Sequence, residues 1–176
     1  MGYKFLVFLV FCCSFLDDKL ILKKERYTDD RMRIDGYYYQ ENAINCTSVY
    51  FFYNDGTFID AGCFPCNSDE ITIKVENKDW SQWYQSKHSG IGYGVFQVSG
   101  SQILIENWRP SSRKSLPAYL YKGEIINDTT FVITQSQRSK PNVSDNDFRI
   151  RRDVFRFKQF NPKPDSTNRF VPTGND

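Results

Sequence analysis

Alanine occurs only three times among the 176 residues, histidine once, and the one long apolar run, Phe5 to Leu16, stops after twelve. Scarce alanine argues against long helices, because alanine is the best helix former. Twelve apolar residues fall well short of the roughly 20 that a helix needs to cross a bilayer. One histidine and no second CxxC leave too few ligands for a zinc site, so no metal is expected. No nucleophile motif surrounds His88, which reads as a solvated loop residue rather than part of a hydrolytic triad. Charge of one sign is missing too: 23 basic against 21 acidic residues leave a net charge of +2. Such balance favours neither a nucleic-acid groove nor a basic membrane-binding face.

Aromatic residues are abundant instead, at 16% with Tyr and Phe leading, a bias toward strands. The length allows one sizeable core plus an appendage. Lys4 followed by the apolar run has the pattern of an export signal. Cys12 and Cys13 within it have no structural task there, and the segment resembles the signal of bacterial lipoproteins, in which the cysteine after a small residue carries the lipid. Cys13, preceded by Cys12, suits that role, and Cys12, preceded by Leu9, Val10 and Phe11, is the alternative. Asp17 and Asp18 resemble the acidic residues that follow the lipidated cysteine in surface-exposed lipoproteins of Bacteroidota. Residues 1–12 are thus expected to form a lipoprotein-type signal peptide and residues 13–34, dense in charge, a tether.

From residue 35 the chain becomes a series of short strand-like runs separated by turn signals. GYYYQ comes first. SVYFFYNDGTFIDAG carries the strongest hairpin signal, Asp55-Gly56 between two aromatic runs. EITIKVEN alternates Ile71, Ile73 and Val75 against polar residues, the period of a half-buried strand. GYGVFQVSGSQILIENW turns at Ser99-Gly100, with Ile103, Ile105 and Trp108 toward the core. AYLYKGEIINDTTFVIT turns at Asn127-Asp128. DFRIRRDVFRFKQF alternates Phe148, Ile150, then Val154 or Phe155 and Phe157, with Arg151-Arg152-Asp153 marking a bulge or a bend. Residues 161–176 hold three of the seven prolines and read as an extended or disordered tail. Eight or nine strands joined by hairpins must close on themselves to protect their edges, so an all-β antiparallel up-and-down barrel over residues 35–160 is expected. Charges on one strand face argue against a transmembrane barrel.

The span from RIDGYYYQ to FRFKQF resembles the lipocalin-like domains of exported Bacteroidota proteins. The shared features are Gly36 followed by Tyr37 and Tyr38 on the first strand, a meander of hairpins, and Arg156 in VFRF on the last. The resemblance implies that Tyr38 stacks under Arg156 and closes one end of the barrel. Tyr stands here where the lipocalin motif has Trp. FFYNDGTF, NDTTF and FNPKPDSTN are also similar to recurring segments of Bacteroidota lipoproteins, for which no activity is implied.

CFPC contributes Cys63 and Cys66. Redox folds place a CxxC before a helix in a βαβ setting, which is absent here. Following the hairpin at Asp55-Gly56, Cys46 falls opposite position 64 or 65, a near neighbour of both cysteines. A cross-strand disulfide from Cys46 to one of them is expected in an oxidising compartment, with a Cys63 to Cys66 bridge as the alternative. Trp80, Trp83 and Tyr84 form the most suggestive binding cluster, a cavity mouth or carbohydrate platform, against plain core packing. Gly90, Gly92 and Gly94 lack the following helix of a phosphate loop. Asn45, Asn127 and Asn142 head glycosylation triplets that matter only in a eukaryotic secretory pathway.

These readings converge on an exported, lipid-anchored outer-membrane or surface protein, or else a secreted one. Its barrel is expected to bind a small apolar ligand or lipid, or to serve as a structural or protein-interaction module of a surface complex. Neither a catalytic centre nor a cofactor is expected.

Overall fold

The computed structural model describes residues 18–80, 90–109, 116–139, 148–168 and 170–171. Its strands are β1 (Gly36–Gln40), β2 (Thr47–Phe52), β3 (Thr57–Phe64), β4 (Tyr93–Ser99), β5 (Gln102–Trp108), β6 (Ala118–Asn127), β7 (Thr130–Arg138) and β8 (Arg149–Gln159). Each pairs antiparallel with the next, and β8 returns to β1, so the sheet closes into an eight-stranded up-and-down barrel. One end, the base, holds the tight connections β2–β3, β4–β5 and β6–β7. The other end, the mouth, holds the longer ones. Gly56 turns the first hairpin with φ +86° and Tyr53 N–H donating to Thr57 O at 3.0 Å. The other two base turns sit at Gly100-Ser101 and Asp128-Thr129, one residue beyond their expected places.

EITIKVEN is not a strand. After a 3-10 turn (Ser68–Glu70) it forms the helix α1 (Ile71–Glu76), within the β3–β4 connection. Ile71 and Val75 are buried, whereas Ile73 is 63% exposed. Alternation and four-residue spacing share positions 71 and 75, and the outward Ile73 decides between them. On β8 the expected bulge or bend is a bulge: Ile133 pairs with Asp153 but Gln135 with Ile150, which leaves one extra residue at Arg151-Arg152. That bulge also corrects the expected inward placement of Ile150, which is 91% exposed.

Two cores follow from the alternation of side chains. Inside the barrel, Tyr38, Tyr50, Phe52, Phe58, Phe96, Phe131 and Phe155 pack ring against ring with Ile103, Ile105 and Ile133. Tyr50 stacks on Phe155 at 4.5 Å and Phe155 on Phe131 at 4.9 Å. Outside, Tyr37, Val49, Phe51, Ile59, Tyr93 and Val95 form a second cluster on the wall of β1–β4. Ile71 and Val75 of α1, Trp80, Leu20, Leu22, Phe160 and Val171 cover it.

Both flanking segments are laid along this wall. Residues 18–34, read as a tether, form a strap. At the mouth Asp18 takes the Arg138 guanidinium at 2.8 and 3.1 Å and the Ala118 N–H at 3.3 Å, while its carbonyl accepts from Trp108 Nε1 at 2.6 Å. Lower down, Ile21 and Leu22 N–H groups donate to the buried Glu106 Oε2 at 2.8 and 2.6 Å, and Ser139 Oγ donates to Oε1. Lys24 pairs with Asp55 at the base, and Tyr27 N–H donates to Asn54 O at 2.8 Å. Met32 then packs against the interior aromatic cluster. The tail, read as extended or disordered, is pinned in its described part by Lys163, which donates to Ile34 O at 2.6 Å and Phe52 O at 2.8 Å. Tyr53 and Tyr93 hydroxyls donate to Pro164 O and Asp165 O.

Candidate functional site

The inward face of the barrel changes character along its length. On β3 Phe58 is followed two residues on by Asp60, on β5 Ile103 and Ile105 by Asn107, and on β8 Phe155 is preceded by Asp153. Each polar residue sits on the mouth side of its strand. Arg109, just past β5, donates from Nη2 to Asp60 Oδ2 at 2.9 Å. Its guanidinium stands 5.8 Å from the Tyr121 ring centre, and that of Arg151 stands 6.0 Å from the same ring. Arg151 also pairs with Asp153 at 2.6 Å. The result is an aromatic floor of Tyr50 and Tyr121 under two ion pairs.

Asn107 occupies the junction of floor and rim. It is opposite Gly94 on β4 and Tyr119 on β6. A Cβ at position 94 would strike the Glu106 carbonyl and the Asn107 side chain, so glycine there makes room for the amide. Asn107 is 1% exposed, and neither its Nδ2 nor its Oδ1 has a hydrogen-bond partner among the described residues. The Tyr50 pKa lies well above its ordinary value because burial disfavours the phenolate, reinforced by the Asp60 charge. Burial likewise raises that of Tyr121, with Arg109 opposing. Burial works against the Arg109 charge, yet Asp60 outweighs it and the guanidinium pKa is raised. Burial thus favours the neutral phenols, which lie under the two ion pairs and beside an amide unpaired among the described residues.

Of the expected aromatic cluster, Trp80 alone is among the described residues. Trp80 lies outside the barrel, 5.2 Å from Phe51 with its indole N–H on Val75 O at 3.1 Å, so its ring serves the outer core. Beside it runs a cleft of about 620 Å³ between Lys78, Trp80 and the Phe160–Asp165 tail. Trp83 and Tyr84 lie outside the described residues, as do Cys12, Cys13 and His88.

Tyr38 and Arg156 do not stack. Tyr38 faces Phe157 across the strands and Tyr39 faces Arg156, so the two residues point to opposite faces of the sheet. Tyr38 is enclosed by Phe52, Phe131 and Phe157, and its hydroxyl donates to Asp128 O at 2.8 Å. Arg156 donates to Glu41 and Thr130 on the outside. The guanidinium over an aromatic at the base belongs to Arg33 of the strap, 4.5 Å from Phe157.

Cys46 and Cys63 form the disulfide, with Cα atoms 5.4 Å apart, and Cys66 is a buried free thiol. The mouth cluster escaped the sequence reading, although its signal was present. Continuing the alternation of QILIENWR past Ile105 places Asn107 and Arg109 on the inward face. Comparison of the chain with protein-family models, curated proteins and solved structures returns no match.

Proposed function

We propose that this is an exported, lipid-anchored envelope protein whose barrel binds one small amphipathic molecule at its mouth, without catalysis. The observation that carries the reading is the Asn107 amide, buried with both polar atoms unpaired among the described residues. An unmade buried hydrogen bond costs about 1–3 kcal/mol, so a ligand offering a donor and an acceptor is favoured there. The rings of Tyr50 and Tyr121 would take its apolar body, as in most small-molecule sites. The lower barrel is filled with its own aromatic side chains, which leaves the mouth as the place for a guest. The Cys46–Cys63 disulfide supports an address outside the reducing cytoplasm. The signal-like Phe5–Leu16 run, with Cys13 or Cys12 as the lipid acceptor, supports the anchor.

Native mass spectrometry of protein extracted from its own membrane in mild detergent tests this reading. A small-molecule adduct is expected on the wild type and should vanish in Asn107→Leu. That variant, free of ligand, should melt no lower than the wild type, because an apolar near-isostere removes an unsatisfied amide. A bare polypeptide mass for the wild type would sink the ligand reading. Co-purification of an envelope protein with that bare form would favour the interaction-module alternative.

A further inference from the structure

The strap fixes where the anchor leaves the fold. Cys13 lies five residues before Asp18, and a fully extended chain spans at most about 3.6 Å per residue, so the lipid attaches within roughly 18 Å of Asp18. Asp18 is held at the mouth by the Arg138 pair, the Ala118 N–H and the Trp108 indole. An eleven-residue strand such as β8 runs roughly 35 Å, or about 27 Å along the axis at an ordinary barrel tilt. The base is therefore out of the anchor's reach.

The described residues of the mouth rim also have the composition of a membrane interface. Ile150 is 91% and Ile44 78% exposed, on β8 and in the β1–β2 connection, and Phe170 beside Trp108 is 42% exposed. Arg149 precedes Ile150 and Arg152 lies two residues after it, and both are exposed as well. Apolar side chains that enter the headgroup layer, flanked by guanidinium groups that meet anionic phosphates, are what such an interface needs. At the base the large exposed apolar side chain among the described residues is Ile126 alone.

We infer that the mouth end of the barrel faces the anionic phospholipid surface that carries the anchor, so that the Asn107 site opens toward lipid. This rests on the lipid-anchor reading at Cys13. The consequence is that an amphipathic ligand is exchanged with the membrane rather than with bulk water.

The test uses acylated, membrane-extracted protein reconstituted in phosphatidylethanolamine–phosphatidylglycerol vesicles that contain nitroxide-headgroup lipid. Thiol fluorophores are placed at Ile150→Cys or Ile44→Cys on the rim and at Ile126→Cys on the base, all exposed positions that leave both cores intact. Quenching is expected to be several-fold stronger at both rim sites than at the base. Equal or reversed quenching on protein whose intact mass includes acyl chains overturns the orientation and leaves the anchor standing. An intact mass without acyl chains overturns the anchor reading, and the orientation with it.

Discussion

Lys163 carries a charge into the seam between tail and barrel, where its ammonium donates to two backbone carbonyls and lies 4.2 Å from the Tyr53 ring centre. Burial lowers its pKa to about 8, against the pull of Asp35 and Asp55. In the unfolded chain the value is about 10.4. Between these two values the unfolded chain holds a proton that the folded one has shed, so stability rises with pH across that window. The melting temperature of the wild type should therefore climb relative to Lys163→Met between pH 7.5 and about pH 10. A constant gap between the two would show that burial does not perturb this amine. Single residues were unevenly readable in advance. Asp55-Gly56 announced its turn because the backbone itself demands glycine, whereas Lys163 in a proline-rich stretch gave no sign of the carbonyls it would meet.

Among the elements, the strap departs furthest from expectation, and Glu106 is its main fastening. Bonds to a carboxylate contribute about 1.5–3 kcal/mol each, so Glu106→Ala should raise strap opening by about tenfold or more. Trypsin should then cut at Lys23 and Lys24 faster, while the far-ultraviolet spectrum of the barrel stays unchanged. Resistance equal to the wild type would mean that the Asp18 and Tyr27 contacts suffice. The strap hid behind its charge: Leu20 and Leu22 pack on the wall while Ile21 between them is 56% exposed, an extended two-residue period too short to stand out. The hairpin strands were plain because alternation and turn residues agreed. EITIKVEN failed because two periods coincide over so short a run.

For the whole molecule, closure was readable from the number of hairpins, but the second core was not inferred. Its sign was the lack of alternation in Tyr37-Tyr38-Tyr39 and Tyr50-Phe51-Phe52, since runs apolar on both faces belong to strands covered on both sides. The disulfide acts at this scale as well. It joins residues 17 positions apart, and for such a loop the lost chain entropy stabilises the fold by about 3 kcal/mol. Cys46→Ala should lower the unfolding free energy in urea by about that amount. A loss below about 1 kcal/mol would mean that the β2–β3 pairing already restricts the open chain.

The closing seam also sets an order of events. Gly36 finds its partner in Gln159, and the wall raised by the earliest strands is covered by Val171 from the tail. On the ribosome neither the barrel nor its outer coat can form until nearly all of the described chain has emerged, and such distant pairings are slow. The barrel therefore stays unclosed while the nascent polypeptide grows, and a chain with an unclosed sheet is one that a translocation channel can thread.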